Sequence, residues 1–219
     1  MGILLEDLSI YLEPTYYIDS NSDSVKNLAF EITKDSENDK QKAIKIFYWT
    51  RDAIYYDPYE SFSSRKSWYK ASSTIKRRKG WCVQKAVVLA ALGRAIGIPT
   101  RLHFADIRNY KISEKQFKIM NTDIFIYHGY TDLFINNKWV KATPAFNKEL
   151  CEKFELPTVE FDGINDATLA VNTLKGEKYI EYLVDRGTEI DLPFRKMFNT
   201  FFDFYSNSKL ILNNNRKNN

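Results

Sequence analysis

Gly80-Trp-Cys-Val-Gln-Lys-Ala-Val-Val-Leu-Ala-Ala-Leu-Gly-Arg-Ala-Ile-Gly97 opens with a cysteine and then carries apolar residues on every face of a helical projection. An apolar surface all round a helix reads as burial on all sides, so this segment is predicted to be the central helix of the fold. Gly97 and Pro99 end it. Beyond them, Thr100-Arg-Leu-His-Phe-Ala-Asp-Ile107 reads as a strand, and Asp123 to Ile135 as another. Asn136-Asn137 fits a tight hairpin turn, because Asn tolerates positive φ, and leads into a third strand over Lys138-Trp-Val-Lys-Ala-Thr143. The expectation is an antiparallel sheet packed on the cysteine-bearing helix, an α+β fold.

Helices are expected on both flanks. Ser22 or Ser24 caps one that reaches about Lys34. Ser36-Glu-Asn-Asp39 resembles a capping box for a second, which runs through Ala43, Ile44, Phe47 and Trp49 toward Tyr56 and is stopped by Asp57-Pro58. Tyr59 to Ser73 shows no clear period and reads as a long loop beside the cysteine. A short helix is expected over Glu149 to Glu155 and a turn at Asp162-Gly163. Lys175-Gly176 is read as a hairpin turn between arms that include Leu169–Val171 and Tyr179–Leu183. A final aromatic helix is expected around Phe194 to Tyr205. The chain is read as one domain, residues 1–212 with a core of about 54–147, followed by a disordered polar tail over 213–219.

The net charge of +4, from 32 Lys and Arg against 28 Asp and Glu in 219 residues, is too small and dispersed to require a nucleic-acid partner. Lys76-Arg-Arg-Lys79 and Arg216-Lys217 read as solvated surface. The N-terminal residues lack the features of a signal peptide, and no stretch is long and apolar enough to span a membrane, so a cytoplasmic location is expected. The start Met1-Gly2 lacks the Ser or Thr that a myristoylation pattern wants near position six. In that compartment Cys82 and Cys151 stay reduced, and Cys151 is read as ordinary packing. No close Cys or His pairing suggests a metal site and no phosphate-cradling glycine motif suggests a nucleotide, so no cofactor is expected. The 15 Phe, 14 Tyr and 4 Trp suit a large core and an aromatic-walled cleft.

Chemistry concentrates at Cys82. A thiol at a helix N-terminus faces first-turn N–H groups and the positive end of the dipole, which favour the thiolate. The chain has two histidines, and a base need only be near the thiol in space. Gly80-Trp-Cys82, the helix ending Leu92-Gly-Arg-Ala-Ile-Gly-Ile-Pro-Thr-Arg101, the strand with His128, and Lys138-Trp139 opening the next strand together resemble the transglutaminase-like superfamily of papain-type cysteine enzymes. Phe104-Ala-Asp-Ile-Arg-Asn109, Tyr127-His-Gly-Tyr130 and Trp139-Val-Lys-Ala-Thr-Pro-Ala-Phe-Asn147 resemble more narrowly a group of little-characterised microbial members.

The resemblance implies a papain-like, transglutaminase-like core in which Cys82 attacks an acyl carbon and His128 shuttles protons. The acyl-enzyme is then resolved by water or an amine. It implies a peptide or protein amide as substrate, with an amine as a further acceptor. The family pattern has an Asp before Pro where this chain has Thr143-Pro144, so the group that orients the imidazole is open. Thr143, Asn147 and Asp162 are the candidates, with Asp162 preferred because a carboxylate also stabilises the imidazolium. Asp132, four residues along the same strand, lies about 13 Å off and is a weaker choice. Trp81 is a candidate cleft wall, and the Cys82 backbone N–H a candidate oxyanion donor. His103 does not match the family's histidine. The competing reading is a catalytically inactive member whose cleft binds a peptide or protein.

Overall fold

A computed structural model describes residues 7–206. The expected tail at 213–219 and the Met1-Gly2 start lie outside the described residues. The central helix, here α4 (Cys82–Ala95), is buried continuously from Cys82 to Arg94. One side packs on β3 (Thr100–Asn109) and β4 (Ile124–Ile135), the other on α1 (Asp23–Thr33), α2 (Asp39–Ala53) and α3 (Ala71–Arg77). With β5 (Lys138–Ala142) and β6 (Ile180–Glu189), these strands form a four-stranded sheet in the order β5-β4-β3-β6, antiparallel throughout. The fold is α+β, as expected. The two-residue strands β1 (Tyr55–Tyr56) and β2 (Lys79–Gly80) pair in parallel just ahead of α4.

Arg94 ties the far end of this arrangement together. Its guanidinium donates to the carbonyls of Glu13 at 2.6 Å, Thr100 at 2.9 Å and Ile190 at 2.6 Å, satisfying three buried or half-buried chain segments from one residue. The Asn136-Asn137 turn has φ of 50° and 62°, the left-handed pair that a tight hairpin between β4 and β5 requires.

Several boundaries differ from expectation. α2 starts after Asn38, whose side chain accepts the Gln41 N–H at 3.0 Å, so the cap is Asn38 rather than Ser36. It stops at Ala53 because Ile54 turns extended and the next two residues pair with β2. The stretch read as a loop, Tyr59 to Ser73, holds 3₁₀ turns at Pro58–Phe62 and Lys66–Tyr69 and the start of α3. α3 buries Ala71, Thr74 and Ile75, a helical spacing too short to stand out, and ends at Arg78 in the left-handed region without a glycine to mark it. Arg77 and Arg78, read as solvated, stack over Trp68 at 4.0 Å and Trp49 at 4.9 Å.

Helix α5 (Glu114–Met120) was not expected, since it buries no residue and so carries no apolar stripe. α6 (Lys148–Lys153) and α7 (Phe194–Phe204) stand where short and aromatic helices were expected. The Lys175-Gly176 turn is present, but Leu169–Val171 is no strand, while β6 runs on to Glu189. β6 is an edge strand with mostly exposed side chains, which hid its length. No helix of the described residues is long and apolar enough to cross a membrane.

Candidate active site

A cleft of about 950 Å³ opens at the N-terminus of α4, and Cys82 and His128 both line it. Its walls are aromatic, with Tyr55, Tyr56, Tyr59, Phe146 and Phe154 prominent, and lysines stand at its rim. Two ion pairs, Lys111 with Glu177 and Lys175 with Glu155, fix the 173–177 turn beside it. Cys82 is the first residue of α4, and Gln84 closes the turn by accepting the Trp81 N–H at 3.2 Å. β4 meets α4 directly here. A Cβ added to Gly129 would lie 3.0 Å from the Val83 Cα, so glycine lets the strand carrying His128 approach the helix closely without crowding its backbone.

Burial dominates the electrostatics. It pushes the Cys82 thiol up to about 11, although the N–H groups of Gly129, Val83 and Cys82 itself favour the thiolate. It pushes His128 down to about 4. Thiol and imidazole are therefore both neutral at neutral pH, whereas helix position alone had suggested a thiolate. The Cys82 N–H stands in the first turn among donors turned toward the sulfur.

No expected orienting side chain meets His128 Nε2. Thr143 is fully buried just past β5, and His128 Nε2 is buried without a hydrogen-bond partner. Tyr182 on β6 packs its ring edge against His128, centroids 6.2 Å apart, and its hydroxyl accepts the Leu169 N–H at 3.2 Å. Burial raises this phenol to about 12, and Thr143 and Thr168 beside it pull the other way.

Asp162 lies elsewhere. It is exposed, and its carboxylate accepts the N–H groups of Ile164 and Asn165, both at 2.8 Å, which holds it at about 2. It is occupied as a turn residue and is not among the cleft-lining residues. Asn147 is turned to β1, accepting the Tyr56 N–H at 3.3 Å. Asp132 does orient an imidazole, but that of His103. Both its oxygens lie 3.1 Å from His103 Nδ1, while Asp185 meets Nε2 at 2.9 Å. Trp81 lines the cleft, its ring packed on Phe201 with centroids 5.6 Å apart. Cys151 lines it too, buried, its thiol raised by burial, and neither cysteine is bridged.

Lys85 was missed by sequence reasoning, although a lysine in an apolar helix one turn after the cysteine was the signal. It is wholly buried, and its ammonium donates to the carbonyls of Arg51 at 2.8 Å and Ile54 at 2.6 Å, where α2 ends. Burial lowers it to about 7, with Asp52 opposing, and its charge favours the Cys82 thiolate. Among the described residues no cluster of His, Cys, Asp or Glu could hold a metal ion.

The profile of the Transglutaminase-like superfamily matches residues 26–144. A structure from Cytophaga hutchinsonii, designated a candidate cysteine protease, aligns with TM-score 0.54 and 22% identity over 86% of this chain and 48% of its own. The periplasmic domain of TgpA from Pseudomonas aeruginosa aligns with TM-score 0.45 and 14% identity over 63% of this chain and 47% of its own. The chain thus spans about half the length of these structures. A comparison with curated protein sequences found no match.

Proposed function

The chain belongs to the transglutaminase-like superfamily, and from that premise we propose that it is a cysteine-dependent amide hydrolase or acyltransferase working through a thioester. The observation that carries this reading is the meeting of Cys82, first residue of α4, and His128, on the strand that touches that turn through Gly129, in one aromatic-walled cleft. A neutral thiol–imidazole pair is a competent starting state. His128 takes the Cys82 proton as sulfur attacks the acyl carbon, and the carbonyl electron pair moves onto oxygen, facing the Cys82 N–H. When the intermediate collapses, the C–N bond breaks and the leaving amine takes the proton from His128. Water, or an amine, then attacks the thioester with His128 as base and releases the thiol.

The apolar, aromatic cleft suits a peptide or protein segment as acyl donor. Hydrolysis is the leading outcome, because transfer needs an amine that outcompetes water at roughly 55 M in occupying the acyl-enzyme. The third role falls to neutral groups, Thr143 and Tyr182, in place of a carboxylate. A screen of fluorogenic peptide amides, with intact-mass detection of an acyl adduct on Cys82, tests the proposal. Turnover lost in Cys82→Ser supports it, and turnover that survives this substitution contradicts it. The second reading, a catalytically inactive peptide-binding module, draws on the unpartnered His128 Nε2 and the threonine at position 143. It requires peptide binding that is unchanged in Cys82→Ser and no adduct in wild type.

A further inference from the structure

Asp106, in the Phe104-Ala-Asp-Ile-Arg-Asn109 stretch of β3, has no part in the chemistry above, yet it sits where both neighbouring strands are irregular. On β4, Ala105 pairs with His128 and Ile107 with Phe125, so Ile126 and Tyr127 together face Asp106 alone. This is a β-bulge immediately before His128. On β6 the register also shifts on each side of Asp106. Tyr127 carries the bulge in the left-handed region, with φ of 54°. A bulky side chain rarely adopts that conformation, at a cost of about 1–3 kcal/mol unless its surroundings impose it.

The surroundings do impose it. The Asp106 carboxylate accepts the Tyr127 N–H at 3.0 Å. Arg186 grips the same carboxylate from β6, with Nε at 2.5 Å and Nη2 at 2.7 Å, and lays its guanidinium 4.4 Å over the Tyr127 ring. On the preceding residues, the Tyr205 hydroxyl of the segment ending α7 accepts the Ile126 N–H at 3.1 Å and donates to the Ile124 carbonyl at 3.2 Å. Side chains thus satisfy backbone groups in the irregular stretch. One residue more or less in β4 would turn the position after the bulge to the other face of the sheet.

We infer that Asp106 is the positioning residue for His128: by holding Tyr127 in the left-handed region it fixes the bulge that sets which way and how far the next residue's imidazole projects. Its functional meaning rests on His128 being the base, while the geometry it asserts does not. Two roles must be separated, the hydrogen bond to Tyr127 and the ion pair with Arg186. Asp106→Asn keeps an oxygen acceptor for Tyr127 and loses the ion pair. Asp106→Leu combined with Arg186→Leu removes the acceptor but replaces a largely buried pair by apolar groups, a change often tolerated.

The experiment is NMR of full-length protein, reading the Tyr127 amide-to-Hα coupling and Cα shift and the His128 ring resonances, with Cys82 alkylation at pH 7 measured on the same samples. In Asp106→Asn the Tyr127 coupling and His128 resonances stay at wild-type values. In the double leucine variant both move, and His128-assisted alkylation of Cys82 slows roughly tenfold or more, as misplacement of a reacting group predicts. The reverse order, or no displacement of His128 in a folded double variant, overturns the inference. If the double variant does not fold, Asp106→Asn still decides, since a displaced His128 there is incompatible with the proposal. Wild-type alkylation indifferent to His128 would defeat the enzyme reading, yet leave the resonance test standing.

Discussion

His103 and His128 lie on adjacent strands, both near the ring of Tyr130, and the fold treats them in opposite ways. His103 stacks on Tyr130 with centroids 4.6 Å apart and has a carboxylate on each nitrogen. Burial alone would lower its pKa, but Asp132 and Asp185 together raise it. The His128 ring centroid lies 6.0 Å from that of Tyr130, the residue is as deeply buried, and its Nε2 has no hydrogen-bond partner. One imidazole is fully satisfied and welds β3 to β4 and β6. The other is left unsatisfied at a cleft wall beside a thiol. A fold that can supply two carboxylates to a histidine where it serves structure, and supplies none where it meets the cleft, separates the two jobs by environment.

The largest expected effect comes from giving His128 what His103 has. Thr143→Asp should place a carboxylate at the orphaned Nε2, raise the His128 pKa from about 4 and speed Cys82 alkylation at pH 7 by about a hundredfold, since an orienting carboxylate is worth up to ~10⁴ in related triads. Mass mapping against Cys151 and histidine NMR check both parts. A variant that folds with neither change would mean that Thr143 does not face the imidazole.

Next comes the converse, removing a carboxylate from His103. Asp132→Asn should cost about 3 kcal/mol in urea unfolding, because it removes the buried negative charge, and one of the two acceptor oxygens, that faces His103 and Arg101, whose Nε lies 3.0 Å from it. Cys82 alkylation in the folded fraction should stay within about twofold of wild type, a change worth only ~0.4 kcal/mol. A large loss of Cys82 reactivity would merge the two regions that the comparison holds apart.

The central helix was legible because burial on every side leaves an unambiguous apolar pattern, and Asn136-Asn137 because its chemistry matches the left-handed pair observed. That Cys82 and His128 would line one cleft was legible from family order. The surroundings of the imidazole were not. Tyr182 comes from an edge strand whose exposed faces conceal it, the Tyr127 bulge lacks the glycine that would announce positive φ, and Asp162 looks the same in sequence whether it serves a turn or a site. Nor could helix position alone weigh the dipole against desolvation, which wins at Cys82.

The most gradual effect is the pH dependence of stability, where the two histidines pull in opposite directions. His103 has a raised folded pKa, so its contribution is complete below the unfolded value near 6.5 and is lost as pH rises through the folded pKa. For His128 the folded pKa of about 4 lies below the unfolded value, so stability is present above about pH 6.5 and falls toward pH 4, by about 3 kcal/mol over that range. Thermal or urea midpoints should show the acid-side slope reduced in His128→Gln and the alkaline-side slope reduced in His103→Gln. Exchange of these assignments would reverse the description of the two sites.

The most direct test is the rate of Cys82 alkylation by iodoacetamide against pH, with Cys151 as internal control, in wild type and His128→Ala. A working thiol–imidazole pair predicts that wild-type Cys82 reacts at pH 7 at least tenfold faster than in His128→Ala, while Cys151 is indifferent. Equal rates for Cys82 in the two proteins, with the thiol accessible and both proteins folded, would contradict the assignment of Cys82 and His128 as a catalytic pair.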